Sequence, residues 1–428
     1  MELPGALDEL GASLKGFGQD VAKRAEALLA YPAPRCRVMV NGKDITSAIE
    51  QRLVSLSLTD NRGLEADQLD LTLSDHDGLL ALPPRGAEVR LWLGWSDTGL
   101  VDKGSYLVDE IEHSGAPDVL SIRARSADLR TGLKVKRERS WAGRTLGAIL
   151  RDVAACHGLK AIVSNTLGSQ RIEHLDQAGE SDANLLSRLG LDCDAVATIK
   201  AGHLLFMPTG ASTSASGLAL PHIELTRIDG DQHRYLQADR NSYSGVRAHY
   251  YDHHSAEKKE AIAGAEGNLK TLRHLYTDAG SALVAARAEW SRLLRGTAIL
   301  SYTLARGRPD LIPELTYSLV GVKDEIDATV WLGANVQHSF TSDAFTTQLE
   351  LESKLPDSAD VGGLVEGELR DYTGVVAWYR VKKTGKQKAY TTGDQAKPLR
   401  LVHLYASEGN AKRAAERALK KLQTAVQS

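Results

Sequence analysis

An internal repeat constrains the fold of this chain more than any other feature of its sequence. Shifting the sequence by 129 positions aligns residues 243–293 with residues 372–422 without a gap, and 16 of the 51 aligned positions are identical. The identical residues, each matched by its equal 129 positions later, are Tyr243, Gly245, Val246, Ala248, Tyr250, Lys259, Gly264, Leu272, His274, Leu275, Tyr276, Gly280, Ala282, Ala285, Ala286 and Leu293. They fall in separate blocks that share one register, which indicates a duplicated supersecondary unit. We call the copies the first and second repeat units.

The repeat unit is predicted to contain a strand, a polar loop, a second strand and a helix. In the second repeat unit LVHLY (401–405) forms the second strand, and Ser407 is a candidate helix N-cap. Small and apolar residues then recur at helical spacing in one stripe: Ala411, Ala414, Ala415, Ala418, Leu419 and Leu422. His274 and His403 occupy the same strand position in the two units, and we predict for them a structural hydrogen bond rather than catalysis.

The second repeat unit also offers the candidate docking surface. Its helix is basic on the face opposite the apolar stripe, and its strand carries large side chains. The candidate residues are Leu401, His403, Tyr405, Lys412, Arg413, Arg417, Lys420 and Lys421. Two copies of a half-buried unit predict two equivalent docking positions, and mimicry of a neighbouring subunit would explain them.

Much of the remaining chain alternates with a period of two, which is typical of half-buried strands. The clearest examples are LDLTLSD (69–75), VLSIRARS (119–126), ELTYSLVGV (314–322), TVWLGANVQHSF (329–340) and FTTQLELES (345–353). Several short strands separated by Gly, Pro and Asp turns favour an antiparallel barrel or sandwich. Residues 141–220 differ, because they contain two amphipathic helices, the second capped by Ser181 or Asp182, and a hairpin at 195–208. The predicted fold class is therefore mainly β with an α+β insertion.

We expect five segments. They are an N-terminal amphipathic helix and linker at 1–35, a first β domain at 36–135, an α+β insertion module at 136–220, a second β domain at 221–355 that the first repeat unit interrupts, and a basic C-terminal extension at 356–428 that holds the second repeat unit. The N-terminal helix is a heptad-like stripe from Leu7 to Leu28. It either lies on its own domain or serves as a self-associating or partner-docking helix.

Charge and composition limit the functional classes. The net charge of −3 argues against a dedicated nucleic-acid binder, although residues 380–421 carry 12 Lys and Arg against 3 Asp and Glu. The three cysteines lie far apart, which argues against a zinc ribbon and a disulfide framework. Neither a membrane helix nor a secretory signal is visible, so we expect a soluble protein made in a reducing cytoplasm, without stable membrane insertion.

The sequence offers surfaces rather than a catalytic site. It contains no G-x-x-x-x-G-K-[ST], G-x-S-x-G or H-E-x-x-H motif. SDHDG (74–78) is interpreted as a turn rather than a metal site, and HYYDHH (249–254) as a strand that enters a polar loop. The prediction is no catalytic residue, no cofactor and no metal.

Several long segments resemble the late control D family of baseplate hub proteins in contractile-tailed phages and R-type bacteriocins. They are LTDNRGLEADQLDLTLSDHDG (58–78), KGSYLVDEIEHSGAPDVLSIRARSADLR (103–130), SWAGRTLGAIL (140–150), DQAGESDANLLSRL (176–189), GRPDLIPELTYSLVGVKDEIDATVWLGANVQHSF (307–340) and FTTQLELE (345–352). The resemblance covers about residues 36–353. It does not extend to the second repeat unit, and the N-terminal helix is longer than the family pattern.

The resemblance implies two tail-tube-like antiparallel β-barrel domains joined by the α+β insertion. It also implies a homotrimer that joins a sixfold tail tube to a threefold central spike, with a lumen for the tape measure protein and for DNA in transit. The implied partners are a trimeric spike protein, the tail tube or tube-initiator protein, baseplate wedge proteins and the tape measure protein. We expect the spike to be a separate polypeptide. The alternatives are a tail-associated peptidoglycan hydrolase and the hub portion of a type VI-like secretion spike.

Overall fold

The structure is a computed structural model that describes residues 31–126, 131–200, 202–214, 218–237, 243–252, 255–265, 267–356 and 372–427. The helix predicted between Leu7 and Leu28 lies outside the described residues. So do His253 and His254 of the HYYDHH segment.

Strands dominate the described residues. They are β1 (Pro34–Val40), β2 (Lys43–Asp44), β3 (Leu53–Asn61), β4 (Gln68–Ser74), β5 (Glu88–Trp95), β6 (Gly99–Ser114), β7 (Val119–Ser126), β8 (Lys136–Thr145), β9 (Lys160–Val163), β10 (Arg171–Ser181), β11 (Ala195–Lys200), β12 (His203–Pro208), β13 (His222–Thr226), β14 (Gly230–Gln237), β15 (Gly245–Asp252), β16 (Glu257–Gly264), β17 (Leu269–Tyr276), β18 (Ala298–Leu304), β19 (Thr316–Val320), β20 (Trp331–Phe340), β21 (Phe345–Ser353), β22 (Gly374–Arg380), β23 (Gln387–Gly393) and β24 (Pro398–Tyr405). The α-helices are α1 (Thr46–Glu50), α2 (Leu146–Ala155), α3 (Asn165–Gly168), α4 (Asp182–Asp192), α5 (Ala279–Arg295), α6 (Asp324–Ala328) and α7 (Glu408–Gln427). The mainly β class with an α+β insertion is confirmed.

Both predicted β domains contribute to one 13-stranded sheet. Its main path runs β14-β18-β21-β20-β3-β4-β7-β6-β5-β1-β2, and β13 and β19 join beside β20. The two halves meet where β20 pairs with β3, from Asn335 opposite Asn61 to Phe340 opposite Leu56. The sequence pattern does not predict this seam. Phe340 and Phe345 even lie in the apolar core of the first half, against residues such as Leu58 and Leu91.

The insertion follows the sequence prediction closely. Ser181 caps α4 by accepting a hydrogen bond from the Asn184 N–H, and β11 pairs antiparallel with β12 in the predicted hairpin. Helices α2 and α4 bury their leucines against Phe206 and the sheet of β9, β11 and β12. This module therefore has its own apolar core.

The two repeat units fold alike, strand for strand. In the first, β15 pairs antiparallel with β16 and parallel with β17, and α5 packs on the sheet. In the second, β22, β23, β24 and α7 repeat this arrangement in the same register, with Gly245 opposite Gly264 and Gly374 opposite Gly393. The interpretation of the middle segment as a polar loop was wrong, because β16 and β23 form there. The charged residues of β16 (EKKEAIAG) and the polar residues of β23 (QKAYTTG) hid the strand signal.

Candidate assembly surfaces

The strand half of the predicted docking surface is covered by the chain itself. In β24 the Leu404 N–H donates to the Lys354 carbonyl at 3.2 Å, and the Leu404 carbonyl accepts from the Val330 N–H at 2.9 Å. One residue farther along, the Ala406 N–H donates to the Ala328 carbonyl at 3.0 Å. The second repeat unit therefore docks on the start of β20 and on the residue that follows β21.

Side chains of β24 complete this intramolecular contact. Leu401, His403 and Tyr405 are half-buried, and burial lowers the pKa of His403 and raises that of Tyr405. The Nδ1 atom of His403 is buried without a hydrogen-bond partner in the described part of the chain. The structural hydrogen bond predicted for this histidine is therefore not found at Nδ1, and packing holds the ring.

The helix half of the predicted docking surface is exposed. Lys412, Arg413, Arg417 and Lys420 line the outer face of α7, while Ala411 and Ala415 are fully buried beneath it. Arg413 donates to the Asn410 side chain, and Lys412 lies 4.0 Å from Glu416. The side chain of Lys421 lies outside the described residues. The structure thus separates the predicted surface into a covered strand and an exposed basic helix face.

In the first repeat unit the helix is covered by the chain and the outer strand is exposed, the reverse of the second unit. Its helix α5 packs against α4, where Arg292 donates to the Leu191 carbonyl at 2.7 Å and the Tyr276 hydroxyl donates to Asp192 at 3.1 Å. Its strand β17 instead leaves His274 and Leu275 exposed. Among the described residues, Leu275 and Thr277 have no backbone partner outside their own unit.

A second surface is the polar face of the large sheet. From β14 to β6, eight strands follow one another and every neighbouring pair is antiparallel. The cross-strand register aligns one row of uncharged polar side chains across six of them: Gln232, Thr303, Gln348, Gln337, Thr59 and Gln68. The opposite face carries the buried leucines, so this sheet has one apolar and one polar side.

This run of eight strands has an open edge at each end. Strand β14 pairs with β18 alone among the described strands, and Arg234 projects from its polar face. At the other end, β6 continues past its pairing with β5 at Leu107, so that residues 109–114 pair with β7 alone. This stretch is acidic, and Glu112 is exposed on the polar face opposite Ser121.

A largely half-buried ion network joins several parts of the chain beside this sheet. Arg62, which follows β3, lies 2.6 Å from Glu314 and 2.5 Å from Glu352. Arg295 of the first repeat unit pairs with Glu352 at 3.2 Å and with Asp194 of the insertion at 2.5 Å. Burial raises the pKa of Glu314, which the Arg62 charge opposes.

The residues that could suggest chemistry have structural roles. Asp77 of the SDHDG turn pairs with Arg52 at 2.5 Å. Within the described ranges, no group of three or more His, Cys, Asp or Glu side chains could hold a metal ion. None of the helices in those ranges is long and apolar enough to cross a membrane.

Comparison with known proteins gives this architecture a family. The family model "Phage tail baseplate hub (GPD)" matches residues 61–344. The chain is 42% identical to the "Probable baseplate hub protein" of Escherichia phage 186 over 366 residues, which cover 76% of this chain and 94% of that protein. It is 40% identical to the protein of the same name in Escherichia phage P2 over 364 residues, with the same coverage. The chain belongs to the phage tail baseplate hub family.

A solved structure agrees with this hub fold. The 43 kDa tail protein of prophage MuSo2 from Shewanella oneidensis is 16% identical, covers 74% of this chain and 97% of its own length, and superposes with a TM-score of 0.56. As a member of the hub family, the chain is a structural component of the virion tail baseplate, and its relatives in phages 186 and P2 are named as hub proteins rather than as enzymes. The second repeat unit lies beyond the residues that the family model matches.

Proposed function

We propose that three copies of this hub protein form a ring that joins a sixfold tail tube to a threefold central spike. The observation that carries the proposal is the run of eight antiparallel strands with an open edge at each end. Because the first and eighth strands run in opposite directions, β14 of one copy can pair antiparallel with residues 109–114 of the next. Open strand edges of this kind seek a pairing partner, and pairing in a closed ring removes them.

Charge favours this pairing between copies. Arg234 and Glu112 project from the same polar face at opposite ends of the run, so a ring brings a cation on β14 next to acidic residues on β6. Opposite charges in adjacent strands contribute roughly 0.2–1 kcal/mol per pair. Repetition at three joints adds to the selectivity for a closed ring.

The polar row would face the lumen of such a ring. A wall of Gln and Thr side chains is wetted by water yet offers no dense array of Lys or Arg to bind phosphates. That chemistry suits the passage of the tape measure protein and of DNA without retention. The tail tube or tube-initiator protein and the spike would meet the two rims of the ring, and wedge proteins its outside.

The test is the native mass of the purified chain by light scattering, combined with charge reversal at the proposed joint. We expect the wild type to have the mass of three chains. Glu112→Arg and Arg234→Glu should each raise the dissociation constant of the ring about tenfold or more, and the double variant should recover much of the loss.

Arg151→Glu on the exposed side of α2 is the matched control, because it reverses an exposed charge in the insertion, which has its own apolar core and holds neither edge strand. It should leave the mass unchanged. A wild type that stays monomeric at high concentration would refute the ring. So would single reversals that assemble like the wild type.

A further inference from the structure

The outer strand of the first repeat unit presents the same backbone groups that the second repeat unit uses for docking. His249 lies opposite Leu275 as Trp378 lies opposite Leu404, and the irregularity before these pairs falls at the same place in both units. Because the register is the same, the N–H and carbonyl of Leu275 point away from β15, as those of Leu404 point away from β22. The two edges therefore offer equivalent donors and acceptors.

The two edge strands differ in solvent exposure. Leu404 is 1% exposed beneath the start of β20, whereas Leu275 is 49% exposed. Across the five residues LRHLY and LVHLY, the units differ only at Arg273 and Val402. In the second unit Val402 packs against the core of the first unit, but Arg273 is exposed. Packing within the chain therefore explains why the second unit has a leucine at position 404. It does not explain the equivalent leucine at position 275 of the first unit, which is exposed.

The position of the first repeat unit indicates what reaches this edge. The unit is inserted between the end of β14 and the start of β18, where Gln237 pairs with Ala298. It therefore stands at the β14 end of the eight-stranded run, next to the edge that the proposed ring gives to the following copy. No described part of the same chain covers β17 there.

We infer that a second copy of this chain covers β17, so that residues 273–277 form a second contact between copies beside the β14 joint. The inference rests on the proposed ring and adds a contact to it. The occupant supplies backbone donors and acceptors for Leu275 and Thr277 and an apolar surface for the Leu275 side chain. This is the kind of contact that residues 328–330 and 354 supply to β24 within one chain.

The first experiment compares Leu275→Asp with Leu218→Asp, which changes a leucine that is 71% exposed in the loop before β13 and lies outside both edge strands. Both variants should keep the wild-type circular dichroism, since neither side chain is buried in the isolated chain. We expect Leu275→Asp to weaken the ring about tenfold or more by light scattering over a concentration series. Leu218→Asp should assemble like the wild type.

Hydrogen exchange on the wild-type protein gives a second measurement that does not depend on a variant. Amides of residues 273–277 should exchange at least tenfold more slowly in the ring than in dilute monomer. Unchanged exchange, or a Leu275→Asp variant that assembles normally, would overturn this inference. If the wild type is still a trimer, the proposed ring itself is unaffected by that result. A wild type that never forms a ring would overturn both.

Discussion

At the scale of single residues, buried histidines make the stability of the chain sensitive to acid. His338 is fully buried on β20, where its Nδ1 lies 2.9 Å from the Thr347 hydroxyl, and burial together with the Lys103 charge lowers its pKa to about 3. Burial likewise lowers the pKa of His222 to about 4. The pKa of a histidine in the unfolded chain is about 6.5, so below that pH the unfolded chain binds protons that these histidines do not bind in the folded chain. The contribution of both residues is therefore complete above pH ~6.5 and is lost as the pH falls towards these lowered values.

We predict that the free energy of unfolding in urea decreases between pH 7 and pH 4, and that His338→Gln makes this decrease shallower. Glutamine retains a polar group near Thr347 but does not titrate. His76→Gln, at an exposed position in the SDHDG turn, should leave the slope as in the wild type. An unchanged slope in His338→Gln would contradict the assigned role of the buried imidazole.

At the scale of elements, the duplicated glycines explain why the two repeat units kept one geometry. Gly264 and Gly393 both adopt a left-handed backbone, with φ of 93° and 76°. A Cβ at these positions would come within 2.6 Å of the Gly245 Cα and 2.9 Å of the Gly374 Cα. The paired strands thus approach too closely for any side chain, and both members of each pair are identical in the two units.

We predict that Gly264→Ala and Gly393→Ala each lower the free energy of unfolding by roughly 2 kcal/mol or more, because backbone strain adds to a steric clash. Gly202→Ala provides the control, since Gly202 has a φ of 75° but open space around it. Its cost should stay near ~1 kcal/mol. Equal costs at all three positions, measured by chemical denaturation, would remove the close approach as the cause.

At the scale of the whole molecule, one arginine connects four parts of the chain. Arg62 follows the first half of the sheet, and its partners Glu314 and Glu352 belong to the second half. Glu352 also pairs with Arg295 at the end of α5, and Arg295 pairs in turn with Asp194 of the insertion. Arg62 also donates to the Gly333 carbonyl at 2.8 Å. Removing one partner of a fully buried ion pair leaves an uncompensated charge and costs roughly 3–5 kcal/mol. The Arg62 side chain is 20% exposed, so its removal should cost about the lower end of this range.

We therefore predict that Arg62→Met costs about 3 kcal/mol and separates the unfolding of the two halves, seen as a second transition in calorimetry. Arg306→Met is the matched control, because Arg306 makes a two-pronged pair with Asp97 at the surface. That exposed pair should be worth less than ~1 kcal/mol. A small loss and a single transition in Arg62→Met would show that the two halves stay together without the Arg62 ion pairs.

The sequence by itself determined what depends on near neighbours along the chain. The alternation of LDLTLSD and FTTQLELES located strands, Ser181 and Ser407 located helix starts, and the constant offset located the duplication, because periodicity and capping are local properties. The family followed from long segments in order. The described residues leave the five-segment division as a prediction, since the two halves share one sheet.

Only the tertiary structure decided which edges are covered. The last five residues of β17 and β24 differ at one position, yet one edge is open and the other pairs with residues 328–330 and 354. The seam between β3 and β20, and the strands β16 and β23 in polar segments, were also not predicted from the sequence. The physical reason is that an edge hydrogen bond joins backbone groups that every residue carries, so its partner is chosen by position in space and leaves no trace in residue type.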